Sequence, residues 1–298
     1  MISTLDELFK KSIIHPKKLV LAAAEDENAL EAAYKAHQKG IVQLICTGDK
    51  QKINQIAIEC HIDLSDIEVI ETEDNVRAVE KAVKLINDGK AQILMKGHIS
   101  TSTLLKGVLN KEWGLRSGNL LSHFALFEIK TYHKLLGITD VAMNVAPNLN
   151  DKLGILNNAV GYMSKIGFNQ IKVAVLSAVE TVNDSIPSTY DAAILAKMSD
   201  RGQISNCTVD GPFALDNAIN KESANHKGLR SDVAGDADLL LMPNIEAGNA
   251  LYKALGFLTD SKLAAVIIGA KAPIVLTSRS DSEEAKFNSI CLAAIGAE

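Results

Sequence analysis

The chain has 298 residues, 47% of them hydrophobic and 22% charged, with a formal net charge of -5, which suits one large or two medium domains with a full core. That balance leaves no basic footprint for nucleic acid. Apolar runs of about eight residues fall far short of the roughly 20 that a membrane-spanning helix needs.

Residues 1–18 carry acidic groups and interrupted apolar positions, so they do not read as a secretory signal. The four cysteines, Cys46, Cys60, Cys207 and Cys291, form no C-x-x-C pair, and Cys46, Cys207 and Cys291 lie in apolar patterns. Buried reduced thiols, a cytoplasmic location and no metal site are expected.

In chain order, residues 18–24 read as a short apolar strand. Residues 25–38 place Ala29, Leu30, Ala32, Ala33 and Ala36 at helical spacing before Gly40. Strands follow at 41–47, 67–72 and 91–95, with helices at about 50–60 and 76–86. This alternation predicts a parallel α/β sheet with right-handed crossovers.

At the end of the fourth strand stands Lys96-Gly97-His98-Ile99-Ser100-Thr101-Ser102-Thr103, followed by Leu104, Leu105, Val108 and Leu109 on a helical face. Gly97 lets the main chain approach a ligand closely, and Ser100, Thr101 and Ser102 either cap the helix or donate to phosphate oxygens. His98 is either a surface residue or a ligand contact.

Residues 120–129 and 140–146 form apolar runs around a polar segment at 130–133, and a domain change is expected there. Further strands read at 171–178, 207–213 and 239–242, helices at about 153–166 and 190–198, and a long polar loop at 222–232. The strand at 239–242 ends in a polar turn whose Asn244, Glu246 and Asn249 either cap the next helix or shape a ligand cleft.

The last turn is Ser278-Arg279-Ser280-Asp281-Ser282, between strands at 264–270 and 273–277 and a terminal helix carrying Ala285, Ile290, Leu292, Ala293, Ala294 and Ile295. Free N–H groups at that helix start, the helix dipole and Arg279 would suit phosphate. Alternatively, Ser280 and Glu283 form an ordinary capping box, with Glu284 complementing the dipole. The chain has no G-x-G-x-x-G after a strand, no Walker motif, no H-E-x-x-H and no G-x-S-x-G. Spacing alone therefore stops at an α/β enzyme that binds a phosphorylated ligand between two domains.

The segments 96–101, Asp210-Gly211-Pro212-Phe213, 231–237, 243–249 and 277–280, in this order, resemble the phosphate acetyltransferase and phosphate butyryltransferase family over roughly residue 90 to the C-terminus. Leu121-Ser122-His123 and the 276–281 turn look more like the butyryl branch. The resemblance implies a two-domain α/β/α fold with largely parallel sheets, of isocitrate/isopropylmalate dehydrogenase-like architecture. Residues 1–130 plus 276–298 would form one domain and 131–275 the other, with the active site in the cleft between them.

It also implies reversible acyl transfer between coenzyme A and inorganic phosphate, giving butyryl phosphate and free coenzyme A, without metal, tightly bound cofactor or covalent enzyme intermediate. Ser278 would orient toward the thiol and Arg279 would hold phosphate or the oxyanion, a task suited to a planar guanidinium. A general base should help a thiol whose ordinary pKa is about 8.5, and Glu284 and Asp281 are the rivals for that role. Lys96, Gly97, His98, Ser100, Thr101, Asn144, Asn244, Glu246 and Asn249 are the expected phosphate and coenzyme A contacts. The family's cysteine within the 140–144 segment is Val141 here. A homo-oligomer, at least a dimer, with no nucleic acid or membrane partner is expected. Competing readings are a phosphate acetyltransferase, a non-catalytic coenzyme A or nucleotide-binding module, and an oxidoreductase on a similar fold, which the lack of an aspartate cluster for metal disfavours.

Overall fold

The computed structural model describes residues 3–12, 14–276, 278 and 281–297. They divide into two compact units. The terminal unit is Asp6–Asn119 with Ala264–Glu298, and the central unit is Leu120–Leu263 with Met1–Leu5.

The chain opens with α1 (Leu5–Ser12), a helix that the sequence reading does not include. Then come β1 (Lys17–Ala22), α2 (Glu27–Gln38), β2 (Val42–Gly48), α3 (Lys50–Glu59), β3 (Glu68–Glu71), α4 (Asn75–Asn87), β4 (Ile93–Lys96) and α5 (Thr101–Val108). Each of the last four helices starts on an aspartate or serine, Asp26, Asp49, Asp74 or Ser100, whose side chain accepts an otherwise orphan N–H. Polar caps therefore stand at the C-terminal strand ends, while Leu19, Val20, Leu21, Leu94 and Met95 vanish into the core.

The central unit holds β5 (Ser122–Glu128), β6 (Leu136–Thr139), α6 (Leu149–Lys165), β7 (Ile171–Leu176), α7 (Ser188–Asp200), β8 (Cys207–Phe213), α8 (Leu215–Ile219), α9 (Lys221–His226), β9 (Leu239–Leu241) and α10 (Ile245–Leu258). Its strands lie in the order β5-β6-β9-β7-β8. All neighbours are parallel except β5 and β6. Phe124 and Phe127 are fully buried on β5. Two sequence expectations change here. The apolar run at 140–146 is a turn, with the strand just before it, and the expected loop at 222–232 begins with α9, capped by Asn220 accepting from the Ser223 N–H.

The chain then returns to the terminal unit as β10 (Lys262–Ile268), β11 (Ile274–Val275) and α11 (Glu283–Gly296). The strand order there is β3-β2-β1-β4-β11-β10, parallel except for the β10/β11 pair. The fold is thus α/β with largely parallel sheets. Cys46 and Cys291 are buried, but Cys207, expected inside, is only partly covered at the start of β8. No described helix is long and apolar enough to cross a membrane.

Candidate active site

β1, β4 and β11 run parallel side by side, so their C-terminal ends form one crest, the place where open parallel sheets take ligands. Ala22 stands opposite Lys96, and Val275 opposite Met95. The segments that leave these strands therefore emerge together. Lys96 is half-buried at the end of β4, and its Nζ donates to the carbonyls of Gly97 and Ile99, each at 3.1 Å.

Gly97 is buried, and its N–H reaches the Ala22 carbonyl at 2.9 Å while the His98 N–H reaches that of Ala23 at 2.6 Å. A Cβ on Gly97 would lie 2.0 Å from the Ala23 oxygen. The close approach that selects glycine is thus made by the chain's own β1 exit, whereas the sequence reading gave it to a ligand. His98 exposes its ring, and its carbonyl is held by Asn75 Nδ2 at 2.8 Å. Ser100 caps α5, accepting from the Thr103 N–H at 3.1 Å, and its hydroxyl meets those of Ser102 and Thr103 at 3.0 and 2.8 Å. Thr101 is exposed on the first turn.

At the end of β11 the chain closes a small ring. The Ser278 N–H donates to Asp281 Oδ2 at 2.7 Å, and the Asp281 N–H returns to the Ser278 carbonyl at 3.1 Å. Ser282, not Ser280, caps α11, accepting from the Ala285 N–H at 3.1 Å. Glu283 therefore occupies the first helical position, not the third, where a capping box needs its acid. Thr277, Arg279 and Ser280 lie outside the described residues. The two base candidates stand differently: Asp281 commits a carboxylate oxygen to the Ser278 ring, whereas Glu284 is exposed on the first turn of α11.

In the central unit two of the side chains named from sequence, Asn144 and Asn249, bond to one turn. The buried Asp140 carboxylate accepts from the N–H groups of Ala142 at 2.9 Å, Met143 at 3.0 Å and Asn144 at 3.1 Å. Asn144 Nδ2 bridges Asp140 at 2.6 Å and the Leu121 carbonyl at 2.9 Å. Asn249 Nδ2 reaches the Val141 carbonyl at 3.2 Å. Gly248 lets α10 press onto the same turn, since a Cβ there would lie 2.6 Å from the Asp140 carbonyl oxygen. Asn244 caps α10 through the Ala247 N–H at 3.0 Å, and Glu246 stays exposed on its first turn.

Two residues central to this turn carry no role in the sequence reading: Asp140 and His123. A buried carboxylate that gathers main-chain donors leaves only a weak signal, a single aspartate inside an apolar run. His123 is buried edge-on to Tyr252, with ring centroids 5.5 Å apart. Burial pushes its pKa down to about 4, with the Asp140 charge opposing, so the ring is neutral near pH 7. Elsewhere, Glu27, Glu31 and Cys60 bring three potential ligand atoms within 4.8 Å of one another. Desolvation and the two carboxylates raise the Cys60 pKa.

The family profile described as phosphate acetyl/butaryl transferase matches residues 3–84 and 73–294. A phosphate butyryltransferase of Clostridium beijerinckii is 49% identical over 99% of this chain and 98% of its own. A phosphate acetyltransferase of Thermotoga maritima is 42% identical over 94% and 95%. Among solved structures, a branched-chain phosphotransacylase from Enterococcus faecalis superposes with a TM-score of 0.83 at 34% identity, covering 94% of this chain and 98% of its own. A putative 4-hydroxythreonine-4-phosphate dehydrogenase from Salmonella typhimurium shares the fold alone, with a TM-score of 0.59 at 13% identity over 94% and 100%. The chain is an acyltransferase and belongs to the phosphate acetyl/butaryl transferase family.

Proposed function

We propose that the chain transfers a butyryl group reversibly between coenzyme A and inorganic phosphate. The crest of the terminal unit carries this reading: Lys96, the capped start of α5 and the Ser278–Asp281 ring leave neighbouring parallel strands. A phosphate oxygen attacks the thioester carbonyl, and the tetrahedral oxyanion collapses to butyryl phosphate as the coenzyme A thiolate leaves and takes up a proton. In reverse, a base removes the thiol proton and the sulfur attacks the acyl phosphate carbonyl.

Ser278 orients the thiol, and Arg279 forks onto phosphate and the developing oxyanion. Glu284, exposed beside the ring, or Asp281, within it, serves as base. Lys96, Gly97, His98, Ser100 and Thr101 form the anion edge. Asn144, Asn244 and Asn249 act by shaping the 140–144 turn, with Glu246 at its margin. A homo-oligomer is supported by the apolar outer face of α10, where Phe257 and Leu258 are 60% and 83% exposed. A cytoplasmic location is supported by unpaired cysteines.

The test is thiol release from butyryl-CoA and acetyl-CoA at saturating phosphate. Two extra buried methylenes at about 0.8 kcal/mol each should favour butyryl by roughly tenfold. A tenfold preference for acetyl would favour the acetyltransferase reading, which the Thermotoga relative supports.

A further inference from the structure

Lys286 is only 4% exposed and sits in the first turns of α11. Among the described residues its Nζ makes one hydrogen bond, to the Asp281 carbonyl at 2.7 Å, and no carboxylate of those residues lies within 4.0 Å of it. Two rules of charge placement are broken at once. A buried ammonium ordinarily requires a carboxylate partner, and the positive end of a helix dipole disfavours a cation. Neither choice serves stability. Glu283 and Glu284, the acids of the same turn, are exposed, where water screens them.

The bond it makes points to the reason. Asp281 closes the ring onto Ser278 through its carboxylate and main chain, and its carbonyl is where that ring enters α11. We propose that Lys286 is a positioning residue for acyl transfer: it fixes the Ser278–Asp281 ring through the Asp281 carbonyl, and its buried ammonium, with no carboxylate of the described residues within 4.0 Å, helps make the ring a seat for anionic phosphate. The inference rests on the acyl-transfer reading of that crest. Lys286 acts through the ring and through its field, without touching the reacting atoms.

The experiment compares Lys286→Met and Lys286→Arg in the full chain, following steady-state thiol release with phosphate and butyryl-CoA varied separately, alongside thermal unfolding. For Lys286→Met, kcat/KM for phosphate should fall about tenfold or more while KM for butyryl-CoA stays within about twofold. The thermal midpoint should hold or rise, because replacing an unpaired buried charge by an apolar chain of similar length removes a desolvation penalty. Lys286→Arg should recover part of the loss. An unchanged kcat/KM for phosphate overturns the proposal. So does a lowered midpoint with both KM values rising together, which marks a merely structural lysine. If Lys286→Met does not fold, Lys286→Gln carries the same comparison, and failure of both to fold also overturns it. Absence of phosphate-dependent thiol release in the unaltered chain would instead remove the acyl-transfer reading itself.

Discussion

Gly97→Ala places one methyl group at the point where β4 and the exit of β1 come closest. The new Cβ would lie 2.0 Å from the Ala23 oxygen, 2.8 Å from the Ala23 carbonyl carbon and 2.9 Å from the Ala22 oxygen. All three are main-chain atoms, so no side chain can swing away. Against an ordinary contact of about 3.5 Å, one segment must retreat by roughly 1.5 Å. The Gly97 and His98 N–H bonds, at 2.9 and 2.6 Å, span that gap. Losing two such bonds at about 1 kcal/mol each, with overpacking of about 1–3 kcal/mol, gives a loss of roughly 3–5 kcal/mol. That is a large part of a typical domain's roughly 5–15 kcal/mol.

Lys96 and Ser100 move with the segment, and a displacement of about 1 Å can lower turnover about 100-fold. Urea unfolding and thiol release measured on one preparation would read both effects. Gly161→Ala is the control: that glycine is exposed in the middle of α6 with nothing within 4 Å of a Cβ, and alanine there should add about 0.5–1 kcal/mol. A Gly97→Ala protein with unchanged unfolding midpoint and rate would refute the reasoning.

Arg279→Ala should lower turnover by roughly 10²–10³-fold, with Arg279→Lys recovering part because the charge survives and the planar fork does not; full turnover in a folded Ala variant would remove Arg279 from the chemistry. Asp281→Asn should slow turnover at every pH by loosening the Ser278 ring, whereas Glu284→Gln should lose rate near neutrality and recover toward about pH 8.5 as the thiol ionises unaided; the opposite pattern would make Asp281 the base. His123, with a folded pKa lowered to about 4 from an ordinary value of 6.5, should make stability pH-dependent. The unfolded chain binds more protons in that window, so the contribution is full above 6.5 and shrinks toward about 4, by at most about 1.4 kcal/mol per pH unit. Urea midpoints at pH 7 and pH 5 should therefore differ more for the unaltered protein than for His123→Gln, and equal differences would exclude the buried ring as the cause.

The strands of the terminal unit are legible because buried parallel strands are runs of Val, Ile and Leu, and the helices because their apolar residues recur at helical spacing. β2 shows how close this comes, at Val42–Gly48 against an expected 41–47. What escaped are features set by long-range contacts. α1 has an amphipathic pattern too short to stand out. β6 lies at Leu136–Thr139, ahead of the apolar run at 140–146, because the Asp140 carboxylate draws the following N–H groups into a turn. The residue types around Ser278 point to an anion turn, but local spacing leaves the start of the terminal helix open, and only the fold assigns its cap to Ser282. Lys286 was invisible as a functional residue, since a lysine in a helix normally reads as solvated surface.

The most direct test of acyl transfer to phosphate is to incubate the protein with butyryl-CoA, with and without inorganic phosphate, and follow free thiol by absorbance and butyryl phosphate by phosphorus NMR. Thiol and butyryl phosphate should appear together in equal amounts, and only when phosphate is present. Thiol release at the same rate without phosphate, with no butyryl phosphate formed, would mean that water is the acceptor and would contradict the assignment.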